Sequence, residues 1–190
     1  MPGIIVDIGC GDGKFVYQLA KEHPDRLIIG VDPSHTSLEK ISAKIYKKPA
    51  KGGRENVFFV LANVEDLPEA LNGLANQVFI NFPWGSLLWG IVAADGTILK
   101  NIQRICQSGA FVDVVLSYDP VKDGSADLPE LTLEYIQGTL ASALAAHGIQ
   151  LLEVKQLTPE ELQTYPSTWA KKLSFGGSAR QYYFMRWQIE

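Results

Sequence analysis

Asp7, Gly9, Gly11 and Gly13 alternate along the run Ile4-Ile5-Val6-Asp7-Ile8-Gly9-Cys10-Gly11-Asp12-Gly13, directly after a short apolar stretch. Glycine lets backbone turn tightly and approach a ligand, and the helix expected from Gly13 to Glu22 would aim unpaired N–H groups at it. This is the pattern of a nucleotide-cofactor turn. A dinucleotide turn, Gly-x-Gly-x-x-Gly, uses its last glycine to close helix against strand, and Lys14 stands in that place here. A second acid, Asp32, ends the next apolar run, Leu27–Val31. Two carboxylates suit a ligand that offers positive charge or hydrogen-bond donors. A pyrophosphate would be repelled by Asp7 and Asp12.

Farther along, Asn81-Phe82-Pro83-Trp84-Gly85 sets a tryptophan between a proline and a glycine. Such a turn is rigid and non-helical, and it presents an indole face at a strand end. Enzymes that act on a nucleobase must unstack it, and stacking on an aromatic side chain returns roughly 1–3 kcal/mol per base. Trp84 is therefore a candidate platform for a flat substrate, against the plainer role of covering a core edge. After a third apolar run, Ala62-Asn63-Val64-Glu65-Asp66 could read an adenine edge through a side chain and a backbone amide; a helix cap is the alternative for Asn63 or Asp66. With no Ser-His-acid set and no acid–base carboxylate pair, the chemistry expected depends on positioning.

The string Asp7-x-Gly9-x-Gly11-x-Gly13 followed by Asp32 resembles motif I of the class I methyltransferases that use S-adenosylmethionine. The resemblance implies that Asp7 lies near the methionine ammonium and that Asp32 takes the ribose hydroxyls, with Gly9, Gly11, Asn63, Glu65 and Pro83 completing the cofactor set.

The elements that must position these residues follow from hydrophobic patterning. Apolar runs mark strands at Ile4–Ile8, Leu27–Val31, Val57–Leu61, Val78–Phe82, Phe111–Leu116, Gln150–Lys155 and Gln181–Gln188. Helices are expected near Gly13–Glu22, Ser37–Lys47, Leu67–Leu74, within Leu87–Cys106, and at Pro129–His147 and Pro159–Lys172. The alternation predicts an α/β, Rossmann-like single domain over residues 1–190: a mostly parallel seven-stranded sheet with helices on both faces. Asp119 to Asp127 reads as a loop that could act as a flap.

Composition agrees with one soluble domain: 190 residues, 46% hydrophobic, with no long apolar run or signal peptide. Two cysteines without pairing or metal spacing fit a reducing cytoplasm, and the three histidines form no cluster, so no metal is expected.

Three segments taken together resemble the 16S rRNA (adenine-1408 N1)-methyltransferases of aminoglycoside resistance and of aminoglycoside producers. They are Lys47-Lys48-Pro49-Ala50-Lys51-Gly52-Gly53, Asn81-Phe82-Pro83-Trp84-Gly85-Ser86-Leu87-Leu88, and Ser167-Thr168-Trp169-Ala170-Lys171-Lys172-Leu173-Ser174-Phe175-Gly176. The likeness runs from about Ile4 to Trp187. It implies that Trp84 and Trp169 sandwich an adenine flipped from the ribosomal decoding site. It further implies that Ser167 lies beside cofactor and base, that the carbonyl of Phe82 orients the base's amino group, and that Arg180 steadies the target. The implied partner is the 30S subunit.

Charge placement fits an RNA partner better than the net charge of −4 does. Lys40, Lys44, Lys47, Lys48, Lys51 and Arg54 lie in one acid-free stretch, and Lys171, Lys172, Arg180 and Arg186 in another. A solvated surface is the ordinary explanation; under the resemblance both become phosphate contacts. The sequence departs from the family in three ways: the first strand begins almost at Met1, where the family carries a docking hairpin; Gly177-Ser178-Ala179 precedes the matched Arg180; and the chain is acidic overall. Asn81 stands where leucine is familiar, which keeps methylation of adenine N6 open. Transfer to another RNA or to a small molecule, and a non-catalytic cofactor- or RNA-binding relative, are the remaining alternatives.

Overall fold

A computed structural model describes residues 3–119, 128–164 and 180–190. Seven strands form one sheet in the order β3-β2-β1-β4-β5-β7-β6. They are β1 (Ile4–Ile8), β2 (Leu27–Asp32), β3 (Val57–Leu61), β4 (Ala75–Asn81), β5 (Cys106–Ser117), β6 (Ile149–Leu157) and β7 (Tyr182–Ile189). The first five run parallel, and β7 inserts antiparallel between β5 and β6. The strand order reverses at β1 and β4, which leaves a crevice beyond their carboxyl ends.

Helices cover both faces, and successive strand residues show why. Ile5 packs with Val16 and Leu19 of α1 (Lys14–Glu22) and with Leu38 and Ile41 of α2 (His35–Ile45). The next residue, Val6, faces the other way, into a larger core with Leu88 and Ile91 of α3 (Gly85–Val92) and Leu99 and Ile102 of α4 (Gly96–Ile105). On that side lie α5 (Leu133–Tyr135), a π-type turn at Ile136–Leu140 and α6 (Ala141–Ala145). The last helix among the described residues, α7 (Pro159–Thr164), adds buried Leu162 to a small cluster with Phe82 and Val115.

Three expectations change. No α-helix forms over Leu67–Leu74; two short 3₁₀ turns, Val64–Asp66 and Glu69–Leu71, occupy the connection, because Pro68 keeps Leu67 and itself extended, with ψ of 137° and 138°, and so interrupts the stripe on which Leu67 and Leu71 are buried. The fourth strand starts earlier than Val78 and stops at Asn81, since Phe82 takes φ 52°, a left-handed conformation that ends the extended backbone. The second helix is shifted toward its N-terminus by the Ser34 cap, whose hydroxyl accepts from Ser37 N–H. Most of the Asp119–Asp127 loop and of the Pro159–Lys172 helix lies outside the described residues.

Candidate functional site

At the carboxyl ends of β1, β2 and β4 opens a cleft of about 470 Å³. The glycine turn forms its floor. Gly9, Gly11 and Gly13 have φ of 75°, 54° and 65°, so the chain reverses in three left-handed steps. Gly9 N–H and Cys10 N–H both donate to Val31 O, at 2.8 and 3.1 Å, tying the turn to β2. At Gly13 the missing Cβ matters twice: the backbone is left-handed, and a Cβ would stand 2.7 Å from the Phe59 ring.

Both predicted carboxylates are in the cleft and buried, Asp7 at 2% exposure and Asp32 at 8%. Asp32 accepts from Gly11 N–H at 2.8 Å through Oδ2 and from Ser34 N–H at 2.9 Å through Oδ1, which holds the carboxylate plane fixed across the two loops. Asp7 accepts from the Asn81 amide at 3.4 Å. Burial pushes the Asp7 carboxyl up to about 8, the Asn81 hydrogen bond pulls it back, and nearby Asp32 adds a smaller upward push. A buried acid raised in this way is mostly neutral in the empty cleft at neutral pH, and a cation such as an ammonium group bound beside it favours its charged form.

Gly9, Gly11, Asn63, Glu65 and Pro83 line the same cleft, as do Phe82 and Trp84. Trp84 is 53% exposed at the rim, immediately before α3, and Phe82 is buried, its N–H donating to Val115 O at 2.7 Å. A non-glycine residue held in the left-handed region costs of order 1–3 kcal/mol and persists where the surroundings enforce it. That strain at Phe82 is not visible in the sequence, although the Phe-Pro-Trp-Gly string signals an unusual turn.

Cys10 also lines the cleft, and burial together with Asp7 and Asp32 pushes its thiol up, so it is an inert wall instead of a nucleophile. Asn81 joins the site through Asp7, a partnership no spacing in the sequence announces. Arg180 lies two residues before β7, whose Tyr182 pairs with Ser117 at the carboxyl end of β5; it is on the cleft's side of the sheet without lining the cleft. Ser167, Trp169, Lys171 and Lys172 lie outside the described residues.

The basic segment after α2 is folded compactly. Tyr17 Oη donates to Gly52 O at 2.8 Å, Lys44 Nζ sits 3.7 Å from the centre of the Tyr17 ring, and Arg54 N–H closes onto Ile45 O at 2.9 Å. Lys47, Lys48 and Lys51 are exposed. No described helix is long and apolar enough to cross a membrane, and among the described residues no group of three His, Cys, Asp or Glu side chains is placed to hold a metal.

The donor set of the cleft suits S-adenosylmethionine: two buried acids stand beside a glycine turn that leaves the backbone bare. Comparison with known proteins points the same way. The family model of the 16S rRNA (adenine(1408)-N(1))-methyltransferase NpmA matches residues 1–187. A 16S rRNA (adenine(1408)-N(1))-methyltransferase from Escherichia coli is 37% identical over 176 residues, covering 90% of this chain and 80% of that protein. Among solved structures, the 16S rRNA methyltransferase KamB superposes with a TM-score of 0.89 at 31% identity, over 99% of this chain and 88% of the other. A tryptophan-to-alanine mutant of the 16S rRNA (adenine(1408)-N(1))-methyltransferase from Catenulisporales acidiphilia, solved with cosubstrate SAM, gives 0.88 at 32% identity, over 98% and 85%. The chain therefore belongs to the 16S rRNA (adenine(1408)-N(1))-methyltransferase family, and is an S-adenosylmethionine-dependent methyltransferase.

Proposed function

We propose that this protein methylates N1 of adenine 1408 in the 16S rRNA of the 30S subunit, in the cytoplasm, and so alters the site where aminoglycosides act. The observation that carries the reading is the half-exposed indole of Trp84 on the rim of a cleft that holds two buried carboxylates. Asp7 would bind the ammonium of the cofactor, Asp32 its ribose hydroxyls, and Asn63 and Glu65 its adenine, with Gly9, Gly11 and Pro83 shaping the walls.

S-adenosylmethionine supplies an electrophilic methyl on a sulfonium. Adenine N1 already carries a lone pair, so the N1–methyl bond can form in line as the sulfur–methyl bond breaks, with both bonding electrons going to sulfur. No general base is needed for the attack. Holding the base at close approach and excluding water are then the protein's main contributions. Trp84, with Trp169 opposite by the family resemblance, would clamp the flipped base; the base gains the positive charge that sulfur loses, and an indole face favours a cation over it. The Phe82 carbonyl would orient the exocyclic amine, and Ser167 and Arg180 would steady the nucleotide. Lys44, Lys47, Lys48, Lys51, Lys171 and Lys172 would contact phosphates and fix register without reading sequence.

Methyl transfer from tritiated cofactor separates the outcomes. Incorporation into 30S subunits, with tRNA and free 16S rRNA far behind, supports the reading. Label in tRNA or in a small acceptor, or cofactor binding without transfer, would replace it by one of the alternatives.

A further inference from the structure

The cofactor's adenosine end is held, on the reading above, by residues of a mere 3₁₀ turn, Val64–Asp66, in a connection with little secondary structure of its own. What fixes that turn is a side chain outside the cleft. Asn101, in the middle of α4 and 9% exposed, points its amide at it. Its Nδ2 donates to Val64 O and to Glu65 O, each at 2.9 Å, so both N–H bonds end on successive carbonyls of the turn. Its Oδ1 accepts from Arg104 Nε at 2.9 Å. Arg104, one helical turn on, then reaches the same connection again, donating to Leu67 O and to Asn72 Oδ1. Every hydrogen-bonding position of the buried amide is used except one lone pair of its oxygen.

Apolar packing alone does not define such a turn. Val64 and Leu67 are buried in the main core, but they fix depth and leave rotation about the chain axis free, and that rotation decides where Asn63 and Glu65 point. Two directional bonds to neighbouring carbonyls remove it.

We infer that Asn101, oriented by Arg104, is a positioning residue for the adenosine subsite: it sets the angle at which the Asn63–Glu65 segment meets the cofactor, without touching the cofactor itself. The inference depends on that segment receiving the adenosine. It applies to a residue with no place in the catalytic chemistry, and it predicts an effect confined to one half of the cofactor. Asn101→Leu keeps the branched shape and heavy-atom count of the side chain, though its methyls are bulkier, and removes all three bonds, leaving two carbonyls without their donors.

The test measures the affinity of the purified chain for S-adenosylhomocysteine and for 5′-methylthioadenosine, which has the adenosine but no amino-acid end, together with steady-state methylation of 30S subunits. For Asn101→Leu we expect both affinities to fall by about tenfold, KM for cofactor to rise likewise, and kcat at saturating cofactor to stay within about twofold. Amide exchange at Glu65 and Asp66 should quicken. Arg104→Met, which leaves Asn101 in place but unoriented, should move the same quantities by about threefold, and serves if Asn101→Leu does not fold. Unchanged affinity for methylthioadenosine in a folded variant, or a fall in kcat with constant KM, overturns the inference. Glu65→Ala separates the levels. If it weakens methylthioadenosine while Asn101→Leu and Arg104→Met do not, the subsite stands and the positioning role falls; if it has no effect, both fall.

Discussion

Asn81, the last residue of β4, donates its side-chain amide to Oδ1 of Asp7 on the neighbouring β1, at 3.4 Å, inside the cofactor cleft. The parallel pairing of the two strands puts their carboxyl ends side by side, and the amide tempers a carboxyl that burial raises from its ordinary 3.8 to about 8. Much of the behaviour of the empty and filled site follows from this hydrogen bond.

The affinity of the cofactor should rise with pH. Without ligand, Asp7 is mostly protonated below about 8; a bound ammonium favours the charged carboxylate and lowers that value, so binding between about 6 and 8 releases a proton. Calorimetry should show affinity climbing up to about tenfold per pH unit and levelling above 8, with Asp7→Asn weak and flat. In the empty protein the sign reverses. An acid raised from 3.8 to about 8 stabilises the fold fully below 3.8, and that contribution is lost as pH rises through 8, so thermal midpoints of the wild type should fall relative to Asp7→Asn over that window.

Replacing Asn81 by Leu should strengthen this pH dependence. Loss of the donor raises the Asp7 carboxyl further, and the plateau of cofactor affinity should move to higher pH. If the wild-type and Asn81→Leu curves superpose, the amide is not holding Asp7.

Trp84→Ala should lower kcat/KM for 30S subunits by about 5- to 150-fold, the equivalent of roughly 1–3 kcal/mol of base stacking. Trp84→Phe should recover most of it. Competitive binding of the cofactor measured alongside distinguishes loss of the base platform from damage to the cleft wall.

Lys47, Lys48 and Lys51 should act as a group on the ribosome. A triple alanine variant is expected to raise KM for 30S subunits and to flatten the slope of log affinity against log salt by roughly 0.7–0.9 for each phosphate that is no longer neutralised. An unchanged salt slope would return these lysines to ordinary solvated surface.

The glycine turn should be intolerant of a methyl group. Gly13→Ala adds left-handed strain and a Cβ 2.7 Å from the Phe59 ring, which together should destabilise by at least about 1–3 kcal/mol. Thermal unfolding should drop by roughly 2–4 °C for each kcal/mol.

The strands are legible in the sequence because buried parallel strands are continuous apolar runs, and Ile4–Ile8, Leu27–Asp32 and Val57–Leu61 carry little else. Asp7, Asp32 and the alternating glycines are legible for a different reason: their residue types are restricted by charge and by φ. Helix expectations fail between Leu67 and Leu74, where apolar spacing mimics a helical stripe but Pro68 and an outside clamp leave a single short turn, Glu69–Leu71. The bonds from Asn101 and Arg104 to residues 64–72 cross more than thirty positions, and nothing in local patterning marks an asparagine on a helix as the anchor of a distant turn. The left-handed Phe82 is likewise a product of its neighbours, set by β5 through Val115.

Whether this chain is an adenine N1 enzyme of the decoding site is decided by treating 30S subunits with the purified protein and S-adenosylmethionine, isolating the 16S rRNA fragment that spans that site, and identifying its methylated nucleoside by mass spectrometry. The expected product is 1-methyladenosine at position 1408, at close to one methyl per subunit. N6-methyladenosine at that position, or a fragment that stays unmethylated while the protein demonstrably binds its cofactor, would contradict the assignment.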